Sequence, residues 1–327
     1  MEADLLKPHF QDADKAREYL ESKRWPDGPI CPHCGVIGEA VKLEMEDGAK
    51  SHARRGLLNC RACRKQFSVT VGTIFEDSHI PLNKWLMAYH LLCASKKGMS
   101  AHQLHRMLGV SYKSAWFMCH RIRYSMTEEP LSSLLDGIVE MDETYIGGKL
   151  RVGPHATKPG ERPKDRLQVS ANKAAVVSVL QRGGRVQSRH VERVTAENLR
   201  PMLDQMVNKT AHLMTDTSTV ARAFSKEWKH STVNHTIGEY SRRENGITIS
   251  TNGVEGVFSI LKRGINGVYH HVGKQHLHRY LAEFDFRYNA RKISDAERAR
   301  LALKGADGKR LMRKKPAKAI DDCRISS

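Results

Sequence analysis

The sequence has no long apolar run and no N-terminal signal pattern, and one long segment contains no Asp or Glu. No apolar run approaches the roughly 18 residues of a membrane helix, and Met1-Glu-Ala-Asp-Leu lacks the basic-then-apolar pattern of a secretory signal. We therefore expect a cytoplasmic protein. Between Ser78 and Met126 there are seven Lys or Arg and five His, but no Asp or Glu.

Composition favours a folded protein with an anionic partner. The chain has 327 residues, of which 40% are hydrophobic, so wholesale disorder is excluded and two or three domains are expected. Its net charge of +18 favours a polyanion, most often nucleic acid. The alternative is a generally basic soluble protein that binds no nucleic acid.

Four of the seven cysteines form two short pairs, Cys31-Pro-His-Cys34 and Cys60-Arg-Ala-Cys63. A reducing compartment disfavours disulfides, and two such pairs suit tetrahedral Zn²⁺ held by four thiolates in a structural site. Free thiols or a redox pair are the alternatives, and His33 or His52 could replace one thiolate. The wide gap between the pairs requires an insertion, for which 44–56 is the candidate. Cys93 and Cys119 are predicted to be buried, whereas Cys323 has no evident partner.

A helical segment with helix-turn-helix character follows. Pro81 begins one helix, Ser100 caps a short second helix that ends near Gly109, and Ser111 caps a third that reaches about Tyr124. A short helix, a glycine turn and a basic helix are typical of DNA-binding units, although plain helical packing gives the same pattern. The residues predicted to contact DNA are Lys113, Trp116, Arg121, Arg123 and, further along the chain, Arg263; Ser111 and Ser114 are further candidates for base contacts, and His120 is placed on the same outer surface.

From about residue 135 the pattern becomes that of an α/β domain. Its predicted elements are a strand at 138–142, a hairpin at 176–191, a helix from Thr195 to Met206, a strand at 212–216, a helix at 220–228 and a helix that Glu255 opens, with a flexible loop at 150–166. This order is that of a ribonuclease-H-like domain.

Three carboxylates in this region are candidates for one metal site. Asp142 and Asp216 lie on or at the end of strands, and Glu255 lies on the helix. Carboxylate oxygens suit Mg²⁺ or Mn²⁺, and two such ions can drive in-line displacement at a phosphodiester. Lys262 follows Glu255 by two helical turns and shares its face, where it can hold a phosphate. Asn252 and Ser259 share that face, Glu140 is a spare acid on the face of Asp142, and Glu143 is predicted to point to the opposite face.

These motifs together resemble a known family. The sequence resembles the ISXO-like group of bacterial insertion-sequence transposases, of the DDE superfamily, over residues 10–292. The resemblance rests on the two cysteine pairs, Gly72-Thr-Ile-Phe75, Val139-Glu-Met-Asp142-Glu-Thr-Tyr-Ile-Gly147, Thr251-Asn252-Gly-Val-Glu255, Lys262-Arg263-Gly264, Gly267-Val-Tyr-His270-His271 and Glu283-Phe-Asp-Phe286-Arg287-Tyr288-Asn289.

The resemblance implies an N-terminal region with a zinc ribbon (1–77), a helix-turn-helix segment (78–130) and a ribonuclease-H-like, retroviral-integrase-like catalytic domain (131–292). It also implies that Asp142, Asp216 and Glu255 are the catalytic acids with Lys262 beside them, and that the protein, as a homodimer or larger assembly, cuts and joins double-stranded DNA at terminal inverted repeats. Such a protein would be cytoplasmic and nucleoid-associated. Some related groups vary at the third acid, which leaves Asn252 as an alternative ligand.

Residues 293–327 are predicted to be a basic tail, either a DNA-binding arm or a disordered segment. Two other functions stay open for the whole chain: a domesticated DNA-binding regulator, and a structure-specific nuclease of the same fold.

Overall fold

The structure, a computed structural model, describes residues 4–43, 55–127, 133–147, 173–218, 220 and 223–312. Its N-terminal part combines short helices with a small antiparallel sheet of order β1-β2-β3. Asp12 caps the second helix by accepting from the backbone N–H groups of Asp14 and Lys15. The elements are α1 (Pro8–Gln11), α2 (Ala13–Arg24), β1 (Ala40–Lys42), β2 (Leu58–Cys60) and β3 (Gln66–Phe67).

The three helices that follow begin and end close to the predicted signals. Ser100 accepts from the backbone N–H of Gln103, and Ser111 accepts from that of Ser114. Gly109 ends the short helix with a φ of 59°, in the left-handed region that glycine tolerates. The elements are α3 (Leu82–Ala94), α4 (Ala101–Leu108) and α5 (Tyr112–Ser125).

One continuous hydrophobic core joins the cysteine-bearing sheet to these helices. Phe67 from the sheet, Phe75 from the connection and Trp85 from α3 are all buried in it, as are Cys93 and Cys119, which confirms the prediction for these two thiols. Within the described residues, therefore, no gap in packing marks residue 77. The domain limits at 77, 130 and 292 stay predictions.

A five-stranded mixed sheet forms the second half of the fold, in the order β6-β5-β4-β7-β8. Strands β4, β7 and β8 are parallel, whereas β5 is antiparallel to both of its neighbours. The predicted strands and the helix at 195–206 are confirmed. The elements are β4 (Ile138–Ile146), β5 (Ala174–Gln181), β6 (Val186–Val191), α6 (Ala196–Met206), β7 (His212–Asp216) and β8 (Lys229–Val233).

Helices cover both faces of this sheet. Val177 and Val179 pack with residues of α6 on one face, and Val176 and Leu180 pack on the other, because side chains alternate along a strand. On that other face lie two helices and a hairpin that follow in the chain. They are β9 (Ser241–Glu244), β10 (Ile247–Ser250), α7 (Asn252–Gly264) and α8 (Lys274–Asn289), with a π-helical segment (Ile265–Tyr269) between the helices.

Three features of this half of the fold differ from the prediction. The helix predicted at 220–228 falls partly outside the described residues: Val220 is helical, as predicted, whereas 223–228 form turns and a bend before β8. Strand β8 was missed because its residues Lys229–Val233 are mostly half-buried, which leaves no apolar alternation to detect. The hairpin of β9 and β10 was also missed, since three of its first four residues are charged.

Part of the predicted basic tail is a packed helix, α9 (Asp295–Lys304). Ser294 and Glu297 form a reciprocal capping box at its start, and Ala302 and Leu303 are buried in the first core. A free arm is therefore the wrong description of residues 295–306. Residues 313–327 lie outside the described part of the chain, as do 44–54 and 148–172, where the insertion and the loop were predicted.

Helix α8 connects the two halves of the fold through the Glu283–Asn289 motif. On one side the buried carboxylate of Glu283 pairs with Arg123 of α5 at 2.6 Å and with Arg287. On another, Asp285 accepts from the backbone N–H of Ser188, and Asn289 bonds both backbone groups of Val186. These side chains satisfy part of the open edge of β6, which would otherwise expose unpaired backbone groups.

None of the helices in the described residues is long and apolar enough to cross a membrane.

Candidate metal centres and active site

The four cysteines of the two pairs converge. Their sulfur atoms all lie within 4.8 Å of one another, with Cys31–Cys63 at 3.7 Å and Cys34–Cys60 at 3.6 Å. A tetrahedron of Zn–S bonds of about 2.3 Å has edges of about 3.8 Å, so this set fits Zn²⁺ without rearrangement. His33 is exposed and lies near the Gln66 carbonyl instead, so the four-thiolate alternative is favoured. His52 lies outside the described residues.

Local hydrogen bonds prepare one of these thiols for metal binding. Burial opposes ionisation of Cys31, but backbone N–H groups at His33 and Cys34 and the neighbouring thiols outweigh it and lower its pKa to about 6. The thiolate is the form that binds metal.

We expect Cys60→Ser to lose the zinc and to destabilise the N-terminal sheet, because its strands of two or three residues hold few backbone hydrogen bonds of their own and depend on the metal to join them. His33→Ala is the matched control and is expected to keep one zinc per chain. Zinc content by plasma mass spectrometry and thermal melting measure both effects. A Cys60→Ser protein that retains a full equivalent of zinc would contradict the assignment.

Strand register brings Asp142 and Asp216 together. In the parallel pair of β4 and β7, Glu140 lies opposite Met214. Asp142 and Asp216 each follow by two residues, so they lie side by side on the same face of neighbouring strands. Asp216 is the last residue of β7, at the carboxyl end where side chains leave the sheet.

Glu255 reaches this edge from above the sheet. It lies in the first turn of α7, whose Val254 and Val257 pack on the same face of the sheet. Burial raises the pKa of Asp142 to about 7; the Glu143 backbone N–H opposes this, and the carboxylates of Glu143, Asp216 and Glu255 add to it. All of these acids therefore lie within electrostatic reach of Asp142.

The carboxylates are neighbours but do not form a closed ligand shell. Among the described residues, the four cysteines are the one group of three or more His, Cys, Asp or Glu side chains placed closely enough to hold a metal ion. The side chain of Glu255 is 43% exposed, and its oxygen lies 3.4 Å from Nε2 of His235. The structure thus brings the three acids to one edge without gathering their oxygens around one point.

Glu140, the spare acid, has a structural role instead. It is 2% exposed, pairs with Arg182 at 2.8 Å and accepts from the backbone N–H of Val254. Its carboxylate thereby holds the start of α7 against β4. The helix approaches so closely that a Cβ at Gly253 would lie 2.6 Å from a carboxylate oxygen of Glu140, so a side chain at this position would collide with it. This contact positions Glu255 and leaves no vacant carboxylate for a metal.

His235 and Glu143 are the site residues that sequence reasoning missed or set aside. His235 lies 3.2 Å from the Thr251 hydroxyl as well as near Glu255. It follows the unpredicted strand β8, so no spacing in the sequence connects it with α7. Glu143 was assigned to the opposite face, yet burial and the charge of Asp216 both raise its pKa.

Two of the predicted DNA contacts are buried in the protein. Arg123 is 2% exposed and paired with Glu283, and Arg121 is 7% exposed and donates to the carbonyls of Ile74, Glu76 and Leu311. Both predictions were wrong, because a basic sequence pattern does not show which cations have internal partners. His120, assigned to the same outer surface, is also fully buried.

The other predicted residues are accessible. Lys113 is exposed near the start of α5, and Trp116 is half-buried against His120 and His276. On α7, Asn252, Ser259, Lys262 and Arg263 are all exposed. Their roles stay predictions.

Comparison with known families assigns the two halves. Residues 134–289 match the ISXO2-like transposase domain, and residues 11–66 match the transposase zinc-ribbon domain. The chain therefore carries an ISXO2-like transposase domain and a transposase zinc-ribbon domain. A relative from Halobacterium salinarum, described as an uncharacterized protein in transposable element ISH50, is 27% identical over 291 residues, 85% of this chain and 91% of the relative.

Two solved structures show only weak likeness to this chain. One is the simian T-cell lymphotropic virus intasome in complex with PP2A regulatory subunit B56 gamma, at 13% identity and a TM-score of 0.26, covering 62% of this chain and 65% of that one. The other is a pre-cleavage Mos1 transpososome, at 13% identity and a TM-score of 0.16, covering 57% and 75%. Neither TM-score carries an argument about this chain.

Proposed function

We propose that this protein is a transposase that binds the terminal inverted repeats of an insertion sequence and catalyses metal-dependent cleavage and strand transfer of double-stranded DNA. The observation that carries the proposal is the meeting of Asp142, Asp216 and Glu255 at one sheet edge, inside a family domain named for transposases. The transposase domain supports transposition in general, and these three side chains support the specific chemistry.

The sheet supports the assignment of a ribonuclease-H-like catalytic domain. Three parallel strands, β4, β7 and β8, stand beside an antiparallel hairpin, with helices on both faces. In this arrangement the first acid lies on the central strand, the second ends its neighbour, and the third is presented by a helix that crosses the same face.

The acids fit Mg²⁺ or Mn²⁺ as cofactor. Hard oxygen ligands suit these ions. Burial and the neighbouring carboxylates raise the pKa of Asp142, and a bound cation would relieve this unfavourable ionisation. When bound, two such ions would activate the attacking oxygen and stabilise the leaving one. Asp142 and Asp216 would hold them from the sheet, and Glu255 from the helix. Lys262, about 10 Å further along α7 by helix rise, would bind a neighbouring phosphate.

The helical segment is our proposed DNA reader. α4 and α5 are joined by the Gly109 turn in the manner of a helix-turn-helix, and Lys113 lies exposed near the start of α5. Joining two DNA ends requires two active sites to meet, so we propose a homodimer or larger assembly on DNA.

The test is a cleavage and strand-transfer assay on DNA from either side of this gene, with Mg²⁺ or Mn²⁺ and with Asp216→Asn as control. Joined products that vanish in the variant and in a chelator support a transposase. Binding without cleavage would favour a domesticated regulator, and cleavage without joining a nuclease of the same fold.

DNA affinity should fall steeply with salt. If six to ten phosphates are contacted, we expect the association constant to fall by about 10³–10⁵ between 50 and 200 mM salt, because each contact releases counterions. Fluorescence anisotropy over a salt series measures the slope. A flat slope would contradict the reading of the +18 charge as a nucleic-acid signal.

A further inference from the structure

A groove of about 470 Å³ is bounded by the end of α3, by α7, by α8 and by the start of α9, and α7 is the helix that carries Glu255. Its walls carry six basic side chains and a single acid, Asp295, which is already paired with Arg298 at 2.7 Å. Its floor is apolar and aromatic. The floor residues are Val257, Ile260, Phe284 and Tyr288.

The rim of the groove carries three cations, Lys96, Lys97 and Arg263, of which Arg263 donates from Nε to the Ser259 carbonyl oxygen. Lys96 and Lys97 are exposed in the turn after α3, and within the described part of the chain neither forms an ion pair or hydrogen bond. Arg263 lines the groove and also a second, open hollow of about 490 Å³ that it shares with Lys97 and Lys262. The groove is thus continuous with the surface that carries the predicted phosphate ligand Lys262.

Close packing fixes this rim in place. A Cβ on Gly264 would lie 2.8 Å from the Lys97 carbonyl oxygen, so only glycine lets the turn approach the end of α7. Gly98 has a φ of 94° and packs against the Tyr269 hydroxyl, where any side chain would collide. The glycine of the Lys262-Arg263-Gly264 motif therefore serves to place Lys96 and Lys97 beside α7.

A rim of cations over an aromatic floor matches one kind of anionic partner. Intact duplex DNA presents phosphates and sugars at its outer surface and keeps the faces of its bases stacked inside the helix. Its phosphates could pair with the cations of the rim, but nothing would then cover the apolar floor. An unstacked nucleotide supplies both a phosphate for the rim and a planar base for the floor. The Arg291 guanidinium lies over the Tyr288 ring, 4.1 Å from its centroid. The two groups form one stack, to which a planar base can add on the side of the guanidinium.

We propose that this groove binds one unpaired nucleotide of the DNA strand that leads to the active site, with its phosphates on Lys96, Lys97 and Arg263 and its base on the Tyr288 stack. The inference rests on the proposed action on DNA and extends it, because it assigns a site for a base taken out of the helix next to the point of cleavage.

The test compares a fluorescein-labelled perfect duplex with the same duplex that carries one unpaired thymidine. Wild-type protein is expected to bind the bulged duplex about tenfold more tightly, the size of one base–aromatic stack. Tyr288→Leu should lose that preference, and the matched Tyr288→Phe should keep it. Lys96→Ala with Lys97→Ala should weaken both complexes and lower the salt slope by about 1 per lysine. Lys226→Ala, an exposed lysine outside the groove, should leave both unchanged.

Equal binding of the two duplexes by wild-type protein overturns the inference, whatever the variants do. A preference that survives Tyr288→Leu overturns it as well. Cleavage of end DNA with no preference for the bulge would refute the groove alone. If wild-type protein bound neither duplex, nor DNA from either side of the gene, the proposed function would fall with it.

Discussion

Asp142→Asn is expected to lower the rate of metal-dependent strand cleavage by at least about 1,000-fold, equivalent to about 4 kcal/mol of transition-state stabilisation. The amide keeps the shape of the carboxylate and an oxygen to accept from the Glu143 backbone N–H, a bond of 2.7 Å in this structure. It removes only the charge that a divalent ion requires. DNA affinity should stay within about twofold of wild type, since the phosphate contacts lie elsewhere.

Stability separates this prediction from simple unfolding. Because burial and neighbouring carboxylates raise the pKa of Asp142 to about 7, its ionised form destabilises the metal-free fold as pH rises above the usual carboxyl range. A neutral Asn removes that cost, so the melting temperature without metal should hold or rise at pH 8. Glu197→Gln, an exposed acid in the first turn of α6, is the control and should cleave normally. Cleavage that survives in Asp142→Asn would remove this residue from the metal site.

Glu283→Ala is expected to lower the free energy of unfolding by about 3–5 kcal/mol, the usual cost of breaking a buried ion pair. Glu283 is fully buried and lies between two cations, Arg123 and Arg287, that are themselves 2% and 7% exposed. Removal of the carboxylate leaves both guanidinium groups buried with no opposite charge. At about 2–4 °C per kcal/mol, the melting temperature should fall by about 10 °C.

The loss of stability at acid pH gives a second measurement for the same residue. Burial alone would raise the pKa of Glu283, but Arg287 and Arg123 outweigh it and lower the pKa below the usual value. Its contribution is therefore present above the ordinary Glu range and is lost as pH falls through the lowered pKa. Glu283→Ala should lose this acid-dependent part.

An exposed ion pair supplies the contrast. Glu227→Ala removes a surface carboxylate paired with Arg200 and Lys209, and should lower the free energy of unfolding far less than Glu283→Ala, because water screens this pair. Thermal and urea unfolding of the two variants measure the difference. If Glu283→Ala were no less stable than Glu227→Ala, the buried cluster would not be what joins α5 to α8.

Local signals were the most dependable part of the sequence. Helix caps, the Gly109 turn and short apolar runs correctly located α3 to α6 and β4 to β7. The two cysteine pairs could be read directly from their spacing. All of these signals depend on neighbouring residues only. The first two acids followed from the same strands. Elements without such signals, β8 and the β9–β10 hairpin, were missed, and with them His235 beside Glu255.

Charge was where sequence reasoning failed. Lys113, Arg121 and Arg123 lie within 11 residues of one another and look alike in a basic stretch, yet only Lys113 faces solvent. Glu140 and Asp142 share one strand face, yet Glu140 is committed to Arg182 and to the start of α7. Partners more than 40 residues away decide such cases, and no spacing within a motif reports them.

The sequence by itself determined the set of four cysteines that could hold zinc, the resemblance to a family and most of the secondary structure, since these depend on residue type and short-range periodicity. Only the tertiary structure decided which charged groups are free, because burial and pairing are set by long-range packing. It also showed that Gly264 and Gly98 bring the turn after α3 onto the end of α7. A groove whose walls come from four helices is created by that packing alone, and so is visible only once the chain is folded.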